Sequence, residues 1–441
     1  MMSKVPDLPP RILYYQRGGA RTPLSSPGPT EEAHVTADAG KATGSPAVAL
    51  EHHAGAMLTM ATVGFAVTFW AWALLSPLGA ALTERLGLSS FEQSLVVAVP
   101  VIVGSLGRIP VGALTDRLGA RRMFPVVALL TVLPVLYLGH VADSLAEFVI
   151  GGFFLGLGGT TFAIGVPFVN SWYPPERRGF AIGIFGAGMG GTAISSFTTV
   201  QLSKANGFAF PFDLVAVVLV VYAAVAYLTL RDRDDRKVPA GSMLSRLAAT
   251  LRMPVTLQMS FLYAVAFGGF VAFSVYLPTY LVNAFGLERS DAAVRTAGFV
   301  VLAVIMRPVG GWLSDRVDPA KILIVAYTVT TALAAIVAFE PPLVPVGTAC
   351  FLAMAACLGA GMGAVFALVA RLVPADRVGA VTGVVGAAGG LGGFFPPLVM
   401  GAVYSATGGY LVGFLLLAAT AAGAAVFTWG VAAKRGRTAA E

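Results

Sequence analysis

Two arginines stand in the middle of apolar stretches, Arg108 in VAVPVIVGSLGRIPVGAL and Arg307 in AGFVVLAVIMRPVGGWL, with no acidic residue at a comparable depth in either. A guanidinium at mid-bilayer costs at least about 2.5–3.5 kcal/mol on insertion scales. Two of them without carboxylates therefore ask for an anion that visits the site. The apolar stretches carry no nucleophile, base or metal cluster, so an enzyme is the weakest reading, and no cofactor or metal is expected. Cys350 and Cys357 lie seven positions apart on one face of one apolar segment and imply neither a disulfide framework nor a metal site. His52 and His53, placed just before the first apolar stretch, could bind metal or sense pH, but a membrane-interface role fits them better. His140 reads as a loop residue.

The elements that must hold these arginines are membrane helices. The chain is 57% hydrophobic and only 12% charged, with a mean hydropathy of +0.80, against about 25% charged residues in ordinary soluble domains. Twelve apolar stretches are long enough to span a hydrocarbon layer about 30 Å thick. They fall near 57–80, 92–114, 123–141, 147–171, 179–201, 210–230, 256–283, 293–313, 321–340, 344–370, 379–404 and 408–430. The fold class is thus an all-α integral membrane protein. Its expected organisation is a disordered N-terminal tail (1–56), a six-helix half (57–230), a polar linker (231–255), a second six-helix half (256–430) and a short C-terminal tail (431–441).

Basic residues set the orientation. The connections after even-numbered helices hold residues such as Arg117, Arg121, Arg122, Arg231, Arg233, Lys237 and Arg371, whereas those after odd-numbered helices offer only Arg85, Lys204, Arg289 and Arg295. Both termini should therefore be cytoplasmic in a multi-pass protein of the cell membrane. The net charge of +7 is topological. It does not argue for nucleic acid, because the charges are spread over short loops.

The halves repeat one another. GRIPVGALTDRLGARR matches MRPVGGWLSDRVDPAK, with Arg108 to Arg307 and Asp116 to Asp315 both 199 positions apart. YPPERRGFAIGIFGAGMGG from Tyr173 matches VPADRVGAVTGVVGAAGGLGG from Val373, with Gly179/Gly379, Gly183/Gly383 and Gly186/Gly386 each 200 apart. Two halves of equal topology about an axis along the membrane normal place the site between them. Within the glycine-rich helices, Gly186, Gly188, Gly190 and Gly191 in one half and Gly389, Gly390, Gly392 and Gly393 in the other should let neighbouring backbones approach and slide. Gly186, Gly188 and Gly191 also satisfy GxGxxG, but inside an apolar helix that spacing does not make a dinucleotide site.

This arrangement resembles the major facilitator superfamily, and GALTDRLGARR looks like its loop between the second and third helices. There Gly112, Asp116 and Arg117, with Asp315 and Arg316 in the second half, are expected to act as a conformational latch. Asp116 would face a helix N-terminus or pair with an arginine, while Gly112 and Gly119 would permit close approach and a tight turn. Within the superfamily the chain resembles the nitrate/nitrite porters of NarK type. GSLGRIPVG, the segment from Gly156 to Phe197, FLYAVAFGGFVAFSVYLP, MRPVGG and GVVGAAGGLGGFFPP carry that resemblance.

The resemblance implies that Arg108 and Arg307 clamp a planar anion, one from each half, as suits a guanidinium's flat fork of donors. It also implies that Phe162, Tyr263 and Phe267 surround the substrate. Many relatives carry an asparagine where this chain reads Gly188-Met189-Gly190, which puts discrimination between nitrate and nitrite in question. Proton-coupled nitrate uptake is the expectation. Nitrate/nitrite exchange or nitrite export stands close behind, because two unneutralised arginines would repel each other and hinder closure of the unloaded protein. A transporter-like anion sensor and a carrier of small organic anions are further readings. The partners implied are nitrate, nitrite, protons and the lipid bilayer, with the chain acting as a monomer.

Overall fold

A computed structural model describes residues 46–233, 243–373 and 377–438. The first half opens with four helical runs long and apolar enough to cross a membrane: α1 (His53–Leu86), α2 (Ser90–Leu118), α3 (Ala120–His140) and α4 (Leu145–Trp172). Next comes α5 (175–206), made of Pro175–Gly186, the 3₁₀ turn Ala187–Gly190 and Gly191–Asn206. Its six glycines and six serines and threonines leave it less apolar than its neighbours. Then follow α6 (Phe210–Thr229), α7 (Pro254–Phe285), α8 (Arg289–Ser314), α9 (Pro319–Ala338), α10 (Leu343–Leu372), α11 (Ala380–Thr407) and α12 (Leu411–Ala432).

Local chemistry sets the ends. Ser89 with Glu92, and Ser144 with Glu147, form capping boxes that satisfy the free N–H groups opening α2 and α4. α1 and α7 both stop at a left-handed glycine, Gly87 (φ 66°) and Gly286 (φ 63°), a repeat of 199 positions. The outward faces carry large apolar side chains such as Leu133, Leu228 and Val325, as a surface that meets lipid requires.

Several boundaries differ from the expectation. The first helix begins at Pro46 rather than 57, because PAVAL supplies a proline suited to the first turn and then good helix formers. His52 and His53 accordingly fall inside it. The linker is not all irregular: Met243–Leu251 forms a short amphipathic helix beside α11, and α7 already starts at Pro254. The last helix continues to Thr438 and takes up most of the expected tail. His140 is the final residue of α3, and its Nε2 meets Asp213 of α6 at 2.6 Å.

The two halves meet through crossed pairs that follow the repeat. α2 of the first half lies against α11 of the second, α8 lies against α5, and α1 lies against α7. On the face opposite the chain ends, Ser76 Oγ donates to the carbonyls of Ser274 (3.0 Å) and Val275 (2.7 Å), and Gln93 Nε2 donates to Thr279 Oγ1 (3.3 Å). Two ion pairs, Lys204–Glu288 and Arg289–Glu84, join the halves on that same face.

Candidate anion-binding site

Irregular backbone brings the arginines together. α2 is interrupted by a single turn residue, Gly107, just before Arg108, and α4 tightens into a 3₁₀ turn over Gly156–Thr160. That turn leaves the Gly159 carbonyl free to accept from Arg108 Nε at 3.3 Å. Arg108 Nη1 reaches across the interface to the Gly386 carbonyl at 2.6 Å. Arg307, from α8, reaches the opposite way, its Nη1 donating to Met189 Sδ at 2.6 Å. Both side chains are buried, at 6% and 4% exposure. Among the described residues neither pairs with a carboxylate, and Arg307 Nη2 is buried without a hydrogen-bond partner.

Aromatic rings enclose the pair. The two guanidiniums share Phe162, at 5.2 Å from Arg108 and 5.7 Å from Arg307. Arg108 also lies 5.4 Å from Phe267, and Arg307 lies 5.8 Å from Phe366. Tyr263 stacks on Phe267 at 5.1 Å with the planes 3° apart, and it touches Phe366 at 4.7 Å. Its phenol is close enough to interact with both guanidiniums. Ring faces offset part of the desolvation of each cation, by about 0.5–2 kcal/mol per contact. A small cavity with room for about one water molecule adjoins Arg108, between Trp72, Ser105, Phe267 and Gly390. The arrangement suits a small flat anion, which would bond to the guanidinium forks and lie against the rings.

Residues 61–395 and 259–440 match the family model of the Major Facilitator Superfamily. The chain is 50% identical over 376 residues to the "Probable nitrate/nitrite transporter NarK2" of Mycobacterium tuberculosis (strain ATCC 25618 / H37Rv), across 85% of this chain and 95% of that relative. It belongs to the NarK-type nitrate/nitrite porters of the Major Facilitator Superfamily. Another porter-like relative, the "Nitrite extrusion protein" of Bacillus subtilis (strain 168), is 41% identical over 369 residues, 82% of this chain and 91% of its own. Solved structures share the fold. The human organic anion transporter MFSD10 superposes with a TM-score of 0.69 at 13% identity over 85% of this chain and 99% of its own. A bacterial homolog of the human lysosomal transporter Spinster, inward-facing and occupied, gives 0.64 at 18% identity over 84% and 95%. The porter is a membrane transporter and not an enzyme.

The porter's five site residues expected from sequence, Arg108, Arg307, Phe162, Tyr263 and Phe267, all converge. Phe366 was missed, since at the repeat spacing it falls opposite Val166, a position with no aromatic to point to it.

The glycines differ in what a side chain would meet. A Cβ on Gly191 would collide with the Ala66 carbonyl, one on Gly392 with the Ala264 backbone, and one on Gly393 with Val271, so these three are close-approach positions. Gly188 accommodates Phe65, Gly389 accommodates the Tyr263 ring, and Gly390 accommodates the Ser105 hydroxyl. Gly186 instead belongs to the site: its Cβ would lie 3.2 Å from Arg307 Cζ, just as that of Gly386 would lie 3.2 Å from Phe162 Cε1. Gly190 is a correction, with nothing within 4 Å, because it faces away from the neighbouring helices.

The loop motifs have these surroundings. The free N–H groups that open α3 are met by Asp232 at the end of α6, from Ala120 N at 2.8 Å and Arg121 N at 3.4 Å. Asp116 is half-buried and Arg117 is exposed. Gly119 makes the expected turn at φ 86°. Gly112 does not need to be small, as its Cβ would make an ordinary 3.7 Å contact with Ala163. In the second half Asp315 is exposed at the end of α8, Arg316 lies 3.9 Å over the Trp312 ring, and Arg371 bonds to the Ser314 carbonyl.

Proposed function

We propose that this porter carries nitrate and nitrite across the cell membrane by alternating access. Its described ends then lie on the cytoplasmic side, and proton-driven nitrate uptake is its net work. One observation carries the anion reading: two buried arginines from opposite halves share the Phe162 ring, and among the described residues one donor, Arg307 Nη2, has no hydrogen-bond partner within bonding geometry. A buried cation with an unused donor is stabilised by a visiting anion through bonds about twice as strong as neutral ones. The relatives named as nitrate/nitrite transporter and nitrite extrusion protein support that substrate class.

A second reading is nitrate/nitrite exchange. It is favoured by the placement of the acids that could relay a proton. Glu147 caps α4, Asp213 meets His140, and Glu340 accepts from Tyr410 N, all at helix ends.

Nitrate uptake into proteoliposomes decides, comparing an imposed inward proton gradient with internal nitrite and no gradient, at matched membrane potential. The proposal expects stimulation by the proton gradient. Stimulation by internal nitrite alone establishes exchange, and binding without counterflow of labelled anion establishes a sensor. No flux in either arm sinks the nitrate assignment.

A further inference from the structure

Both guanidiniums already hold an acceptor that the protein supplies from the opposite half. Arg108 of the first half bonds to the Gly386 carbonyl of the second, and Arg307 of the second bonds to Met189 Sδ of the first. The geometry points to Met189 and the Gly386 carbonyl as internal stand-ins for substrate oxygens, which let the unloaded carrier close and return, so that net transport does not require an exchanged anion. This rests on the anion-transport reading above.

Two like charges brought together away from water oppose closure of the halves, and each must be offset by a dipole or a counter-charge. A carbonyl oxygen and a thioether sulfur both provide a dipole. Both bonds span the interface, so each forms only when the halves approach and is lost when they part. Their strength also has the right order. A thioether is a weak acceptor and a carbonyl a neutral one, whereas an oxyanion accepts charge-assisted bonds about twice as strong. The stand-ins can therefore hold the closed arrangement and still yield both forks to a substrate. Met189 is suited to this by its position in the Ala187–Gly190 turn, where it is fully buried, and by a flexible unbranched side chain that can withdraw. It acts as a positioning residue, through Arg307.

The test compares two fluxes of wild-type protein in proteoliposomes. One is net nitrate uptake at an inside-positive potential with an imposed inward proton gradient and an impermeant internal anion; the other is exchange against internal nitrate. The inference expects net uptake within about tenfold of exchange, since unloaded return is not prohibited. Exchange without net uptake overturns it, and with it proton-driven uptake, but leaves nitrate/nitrite transport by exchange intact, whereas absence of both fluxes marks failure of the transport reading itself. Met189→Leu then assigns the role. Leucine fills similar volume but accepts no bond, so the ratio of net uptake to exchange, which returns loaded, should fall about fivefold or more. Met189→Gln, which restores an acceptor, should recover net uptake. A leucine variant that lowers both fluxes equally, or neither, overturns the assignment to Met189. Should that variant not fold, the wild-type comparison still decides whether unloaded return occurs.

Discussion

Arg108 donates from Nη1 to the carbonyl oxygen of Gly386 at 2.6 Å, joining α2 of one half to α11 of the other. The equivalent glycine, Gly186, approaches Arg307 in the opposite sense, with its Cβ position 3.2 Å from the guanidinium carbon. Each arginine therefore sits against the glycine-rich helix of the other half, where Gly186 leaves room for Arg307 and Gly386 leaves room for the Phe162 ring beside Arg108. The site is made by the interface, and any movement of the halves changes both arginines at once.

The pairing predicts that charge alone is insufficient. Arg108→Lys and Arg307→Lys should each weaken nitrate binding by about tenfold or more, since a lysine keeps the charge but loses the planar fork, and a hydrogen bond to a charged group contributes about 1.5–3 kcal/mol. Isothermal titration in detergent, with uptake in proteoliposomes, measures both. Unchanged affinity in both variants would defeat the clamp.

Much of this geometry was legible in the chain. Apolar length located the helices, and the 199-residue repeat joined Arg108 to Arg307 before any contact was known. What the pattern could not carry was long-range partnership. Nothing in RDRDDRK marks Asp232 as the residue that caps α3, and nothing in GAGMGG tells that Met189 meets a guanidinium while Gly190 meets nothing. Local composition explains why a glycine can be somewhere. Only the packed neighbour says whether it must be.

The glycines therefore predict opposite outcomes for one substitution. Gly186→Ala pushes a methyl group toward Arg307 and should lower nitrate uptake at least several-fold, with an overpacking cost of about 1–3 kcal/mol. Gly190→Ala enters open space within a helical backbone and should leave uptake unchanged, with stability equal or raised by up to about 1 kcal/mol. Thermal unfolding alongside uptake separates the two. Equal damage from both would mean that the two glycines do not differ as the contacts require.

Closure on the face opposite the chain ends depends on neutral bonds more than on charge. Ser76→Ala removes the donor to the Ser274 and Val275 carbonyls, and each lost bond is worth about 0.5–1.5 kcal/mol. In a background of Cys350→Ala and Cys357→Ala, a cysteine at Thr279, which is buried in the closed face, should be labelled several-fold faster by an impermeant maleimide when Ser76 is alanine. An unchanged rate would show that these bonds do not hold the face shut.

The Glu288 carboxylate on that face should be silent near neutral pH. The Lys204 side chain, by hydrogen bonding and then with help from Ser290 and its own charge, holds the exposed Glu288 carboxyl below its ordinary value of 4.5. A depressed carboxylate contributes fully above its unfolded value and loses that contribution as pH falls through the folded one. Closure should therefore be constant from neutrality down to the ordinary carboxylate range and weaken only in stronger acid. The same labelling assay run across pH reads this directly, with Glu288→Gln as the pH-independent control. A transition near neutral pH that vanishes in Glu288→Gln would make this pair a proton sensor. A flat response leaves coupling to groups nearer the arginines, because a pair already fully ionised on both sides of a physiological proton gradient takes up no proton as the halves part.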